Sequence, residues 1–166
     1  MIRVLIALKS VLVLETVEYK QMLALAAEKK DVLFKSDVPR LELIVAREMT
    51  VLKRIKQLEA EREALIAKAA VLSHRPKSTM RLSDMIDMLD GDLRAEFILI
   101  REELSDVVSQ LKNCNKANKG LIETQLQYAS FCVNLMSGHT GPLSTYSNAG
   151  QMNDKEEATF LIDQSI

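Results

Sequence analysis

The side chains able to carry chemistry are few and scattered. Two imidazoles, His74 and His139, stand alone, with no Cys or carboxylate at metal-ligand spacing from either. The acidic run Glu102, Glu103 and Asp106 has no nearby Glu-x-x-His pattern of the kind that builds di-iron sites in helical bundles, and reads as a solvated helix face. Gly138 and Gly141 are not followed by Gly-Lys-Ser/Thr, so no phosphate-cradling loop forms there. Cys114 and Cys132 fall in one helical stretch about 27 Å apart along the axis, too far to bridge, and read as half-buried free thiols of a reducing compartment. No nucleophile, acid-base pair or metal cluster emerges, so the chain reads as non-catalytic, with no cofactor and no metal.

What remains is apolar surface, and the elements that display it are helices. Aromatic residues make up 4% of the chain and Trp is absent, while Leu, Ala, Glu, Lys and Met dominate. From Leu41 to Leu72, alternating steps of three and four meet Leu41, Ile44, Val51, Ile55, Leu58, Leu65, Ala69 and Leu72, interrupted only by Glu48 and Arg62. With no Gly or Pro inside, this is one amphipathic helix of about 50 Å, which needs long apolar partners. An earlier helix runs from about Ile2 to Lys35, striped by Leu5, Leu8, Leu12, Tyr19, Met22, Ala26 and Leu33, with Leu14 and Leu25 as a second edge. Ser36 and Asp37 offer capping oxygens and Pro39 suits a first helical turn, so the two helices form an antiparallel hairpin.

The first fourteen residues are strongly apolar but make a poor export signal, because Lys9 and Ser10 interrupt the run and no small-residue cleavage site precedes Glu15. They are too few to span a bilayer and read as helix buried on most faces. Residues 73–79 read as a linker, followed by a short corner helix capped by Ser83 and a fresh start at Asp90-Gly91-Asp92. The last long helix, from about Leu93 to Ser137, carries Leu93, Phe97, Ile100, Leu104, Val107, Leu111, Ile122, Leu126, Ala129, Val133 and Met136 on one face. Asn115 and Asn118 occupy apolar positions of that face, and Gly120 follows, which predicts a kink or weak turn. Two readings of these Asn stand: they bond across the bundle to fix register, or they contact a partner.

The fold expected is therefore all-α. It is an elongated antiparallel helical hairpin or coiled-coil bundle of three long helices with a short connecting helix, forming residues 1–137. Residues 138–166, rich in Gly, Ser, Thr and Asn and ending in the cluster Phe160, Leu161 and Ile162, read as a flexible tail. A net charge of -1 leaves no basic field for nucleic acid or for stable membrane attachment. The eight Met suit capture of a varied amphipathic helix or simply the filling of a core.

Three stretches resemble the FlgN family of flagellar type III export chaperones: Leu58-Glu59-x-x-Arg62, Asn115-x-x-Asn118-x-x-Leu121-Ile122, and Tyr146-x-x-x-Gly150-Gln151. Their order, and the order of helices, follows the family over nearly the whole chain. The resemblance implies a small cytoplasmic chaperone without catalytic activity. It would bind the C-terminal helical regions of hook-associated proteins of the hook-filament junction, prevent their premature assembly and deliver them to the export apparatus. It nominates Asn115, Asn118, Leu121, Ile122, Tyr146 and Gly150 as facing client or export gate. The apolar neighbours, Leu126 among them, would cover the client's stripe. The competing reading is a structural coiled-coil adaptor or self-assembling subunit, a homodimer paired through Leu41 to Leu72.

Overall fold

The computed structural model describes residues 1–74 and 81–136. Four helices follow in order: α1 (Ile2–Lys35), α2 (Val38–Leu72), α3 (Leu82–Asp87) and α4 (Gly91–Met136). The all-α bundle of three long helices and one short connector expected from the periodicity is the architecture observed. Residues 75–80 and 137–166, which take in most of the expected linker at 73–79 and all of the expected tail at 138–166, lie outside the described residues.

The α1–α2 turn is as short as its residues allow. Ser36 closes α1 in the left-handed region at φ 53°, and its amide and that of Asp37 donate to the Leu33 and Val32 carbonyls. The Asp37 carboxylate accepts from the Arg40 amide at 3.2 Å, and Pro39 sits in the first turn, where no amide is missed. The chain therefore reverses within two residues.

α1 is the central helix. It packs extensively on both α2 and α4, whereas α2 and α4 barely meet. Hence its buried set is wide, including Leu8, Leu12, Tyr19, Met22 and Ala26 together with Val11, Leu25 and Val32. α2 buries a narrow stripe of Ile44, Val51, Ile55, Ala69 and Ala70. α4 buries Phe97, Leu104, Val107, Val108 and Leu111, and it runs parallel to α1: Lys9 pairs with Glu96, while far along both helices Asn118 meets Ala26.

Four details differ from the sequence reading. The N-terminal segment is buried on one side only, because two neighbours cannot surround a helix; Ile2, Ile6, Val13, Leu14 and Val17 stay exposed. Leu25 belongs to the second apolar edge, but Leu14 does not. The corner helix starts after Arg81 rather than at a Ser83 cap, and the Arg81 amide donates to the Asp84 carboxylate at 2.8 Å. Finally, α4 continues through Gly120 without a break, since intrahelical hydrogen bonding and contacts on α1 outweigh a Gly cost of only about 1 kcal/mol.

Candidate functional site

The two charged interruptions of the α2 stripe are fastenings of the hairpin. Arg62 Nε donates to Oε1 of the fully buried Glu15 at 3.0 Å, and Glu48 accepts from Lys29 through both carboxylate oxygens at 2.7 and 2.8 Å. Between these pairs the Tyr19 hydroxyl donates to Glu59 at 2.8 Å. As α1 numbers rise the α2 numbers fall in step, so the pairs fix one antiparallel register. Sliding by one turn would strand Glu15 without its cation, a change that costs several kcal/mol for a buried charge. Burial pushes the Glu15 carboxyl above its ordinary value, outweighing the nearby Arg62. Burial also pushes the Tyr19 phenol up, reinforced by its bond to Glu59. The stretch Leu58-Glu59-x-x-Arg62 thus gains a physical role: Glu59 and Arg62 clamp α2 to α1.

Asn118 performs the corresponding task for α4. It is buried, and its amide donates to the Ala26 carbonyl at 2.8 Å, while its Oδ1 has no partner among the described residues. One helix row further, the Gln125 amide donates to the Leu33 carbonyl and also reaches the Ser36 hydroxyl at 3.3 Å. Of the two readings of the Asn pair, Asn118 takes the cross-bundle bond. Its side chain faces α1 and is engaged there; Asn115 and Leu121 lie half-buried beside it.

Beyond Gln125 the cover ends while α4 does not. α1 stops at Lys35, yet α4 runs to Met136, about 16 Å past its last contact with the α1 end. The heptad line buried at Phe97, Leu104 and Leu111 continues through Asn118 and Gln125, which bond to α1, to the half-buried Cys132. The apolar residues that flank this line, Ile122, Leu126, Val133 and Met136, are left open by the described residues. Exposure is 0% at Leu111, 38% at Ile122, 62% at Leu126, 63% at Val133 and 89% at Met136. No residue from 126 to 136 is buried. Around the rest of this projecting segment stand Tyr128, Phe131 and Leu135, and the exposed Phe34 and Val38 lie at the adjoining hairpin turn. Tyr128 and Cys132, one turn apart, interact, and the contact raises the Tyr128 phenol. Both thiols are free and half-buried.

An exposed apolar face of this length, continuous with a packed one, is incomplete as a helical surface. Exposed apolar faces of this kind are surfaces on which an amphipathic helix can pack. Of the nominated residues, Ile122 and Leu126 lie on this face, Leu121 borders it, and Asn115 and Asn118 lie behind it toward α1. Tyr146 and Gly150 fall outside the described residues. Sequence periodicity included Val133 and Met136 in the α4 stripe without marking them as uncovered; the missed signal was helix length, since α4 is longer than α1. Among the described residues no three His, Cys, Asp or Glu side chains gather as a metal site, and no helix is long and apolar enough to cross a membrane.

The described residues thus form a helical hairpin carrying a third helix that outruns it, with an apolar face left open at the projecting end. The sequence pattern of the family described as FlgN protein matches residues 1–154, and the chain belongs to the FlgN family, a family of flagellar export chaperones. Neither the curated proteins nor the solved structures include a match to this chain.

Proposed function

We propose that this protein is a non-catalytic cytoplasmic export chaperone that captures the C-terminal helical regions of hook-associated proteins of the hook-filament junction. It keeps them from assembling early and hands them to the export apparatus. One observation carries the reading: the apolar stripe of α4 is buried as far as Leu111 and open from Ile122 to Met136. A client helix laid along Ile122, Leu126 and Val133 would have its own assembly stripe covered while bound. Moderate affinity suffices for release at the export gate, and an interface of helix on helix without buried ion pairs is suited to that.

The burial of α2 favours this reading over a self-assembling adaptor. Ile44, Val51 and Ile55, which a dimer through Leu41 to Leu72 would need, are already spent on α1. Titration of the full chain with C-terminal helical fragments of hook-associated proteins, followed by calorimetry and light scattering, tests the proposal. A one-to-one complex at micromolar affinity or tighter is the expected result. A preformed dimer that ignores every fragment would overturn it.

A further inference from the structure

The open edge of α4 has a pattern of its own. Lys112, Lys116 and Lys119 are spaced by four and three residues and all are exposed; the heptad step from Lys112 passes through Lys119 to Leu126 and Val133. One edge of α4 therefore carries three cations first and, past the exposed Glu123 one heptad beyond Lys116, apolar residues next. Among the described residues no carboxylate pairs with any of these three lysines. The ion pairs of the described residues each join two helices, and these three lysines, like the exposed Lys53, Lys56 and Lys68, take part in none; clustered on one edge, they suit an acidic neighbour.

The chain contains such a neighbour. Asp154, Glu156 and Glu157, against the single Lys155, are followed by Phe160, Leu161 and Ile162: acidic first and apolar next, in the same order. The family match ends at Asp154, so this segment, its first residue apart, lies beyond the part matched to the family. Its tether is long enough. Returning from Met136 to Lys112 takes about 36 Å at the helical rise, and residues 137–153 can extend to about 56 Å. Tethering at such lengths gives an effective concentration on the order of millimolar, so a contact of only millimolar intrinsic affinity is about half occupied.

We infer that residues 154–162 dock in cis on the open edge of α4, with their carboxylates against Lys112, Lys116 and Lys119 and the Phe160, Leu161 and Ile162 side chains on Ile122, Leu126 and Val133. The segment shields the apolar face when no client is bound and must be displaced by one. That second consequence rests on the client reading of the same face; the docking itself does not.

A photo-reactive benzoylphenylalanine placed at position 160 of the full chain tests the docking. Irradiation at low micromolar concentration should give an intramolecular cross-link on the monomer, mapping between Lys119 and Val133. The cross-link should fall at least fivefold in Lys116→Glu/Lys119→Glu and return when Glu156→Lys/Glu157→Lys is added. Cross-links between two chains, cross-links elsewhere on the chain, or a yield indifferent to the charge reversals would overturn it. Client affinity is read separately: Phe160→Asp should raise it about twofold by removing the competitor. An intact, charge-dependent cross-link with client affinity unmoved by Phe160→Asp would uphold the docking and remove this face as the client's.

Discussion

The two halves of α4 both carry a broad apolar face along the helix and differ in whether α1 lies over it. From Phe97 to Leu111 the stripe is core; from Ile122 to Met136 it is surface. Residue type therefore does not separate folding from function in this helix. Relative helix length does, because an amphipathic stripe that outlasts its partner must find another. Between the halves stand Asn118 and Gln125, whose bonds to α1 carbonyls mark where the cover ends.

The sharpest way to break this comparison is to truncate one side chain in each half. Phe97→Ala should cost about 3–5 kcal/mol of stability in a denaturant titration, through lost burial and a cavity. Leu126→Ala should cost less than about 0.5 kcal/mol. Equal losses would mean that the projecting half is packed and the comparison false.

The next effect concerns the hairpin that supplies the cover. Arg62→Met leaves Glu15 buried without its cation and should cost about 2–3 kcal/mol, below the full buried-pair penalty because Arg62 is partly solvated. Glu15 also makes stability depend on pH. Its folded-state pKa is raised above the ordinary 4.5, so its contribution is fully present below that value and is lost as the pH rises through the folded value. Glu15→Gln, which mimics the protonated form, should therefore gain stability relative to the wild type as the pH climbs from 4.5 toward neutrality. A gap that moves the other way would mean that Arg62 dominates the burial of Glu15.

A smaller effect belongs to the boundary. Asn118→Ala removes a buried bond to the Ala26 carbonyl and should cost about 1–2 kcal/mol. Hydrogen exchange should show the loss concentrated where α4 meets α1 between Ala26 and Leu33. The smallest change sharpens the reading of α4 as continuous. A Cβ at Gly120 would meet nothing within 4 Å, so Gly120→Ala should stabilise the helix by up to about 1 kcal/mol. A loss would reveal a bend that the helix needs.

The fold was legible because each long helix carries an unbroken period and because Ser36, Asp37 and Pro39 specify a tight reversal. The end of α1 and the start of α2 follow from those residues directly. Less was legible about what each polar interruption does. Glu48 and Arg62 are conspicuous in the α2 stripe, but their partners Lys29 and Glu15 lie on another helix, and one-dimensional spacing does not pair helices. Glu15 itself reads as the end of an apolar run, and its burial depends on Arg62 lying opposite. The same holds for the Asn pair: sequence left both roles open, and three-dimensional position gave Asn118 to α1. Similarly, Ile2, Ile6 and Val13 suggest burial by composition, but a helix with only two neighbours has an uncovered side. The open half of α4 escaped notice because its residues match those of the covered half; only the end of α1 distinguishes them.

The central claim is that the projecting half of α4 receives the client and is dispensable for folding. Its most direct test is the full-length Leu126→Asp/Val133→Asp variant, measured for thermal stability and for affinity toward a C-terminal helical fragment of a hook-associated protein. The account predicts an unchanged melting temperature with affinity reduced at least a hundredfold, since two carboxylates would be buried without partners under a bound helix. Full-strength binding by a variant that remains folded would contradict it.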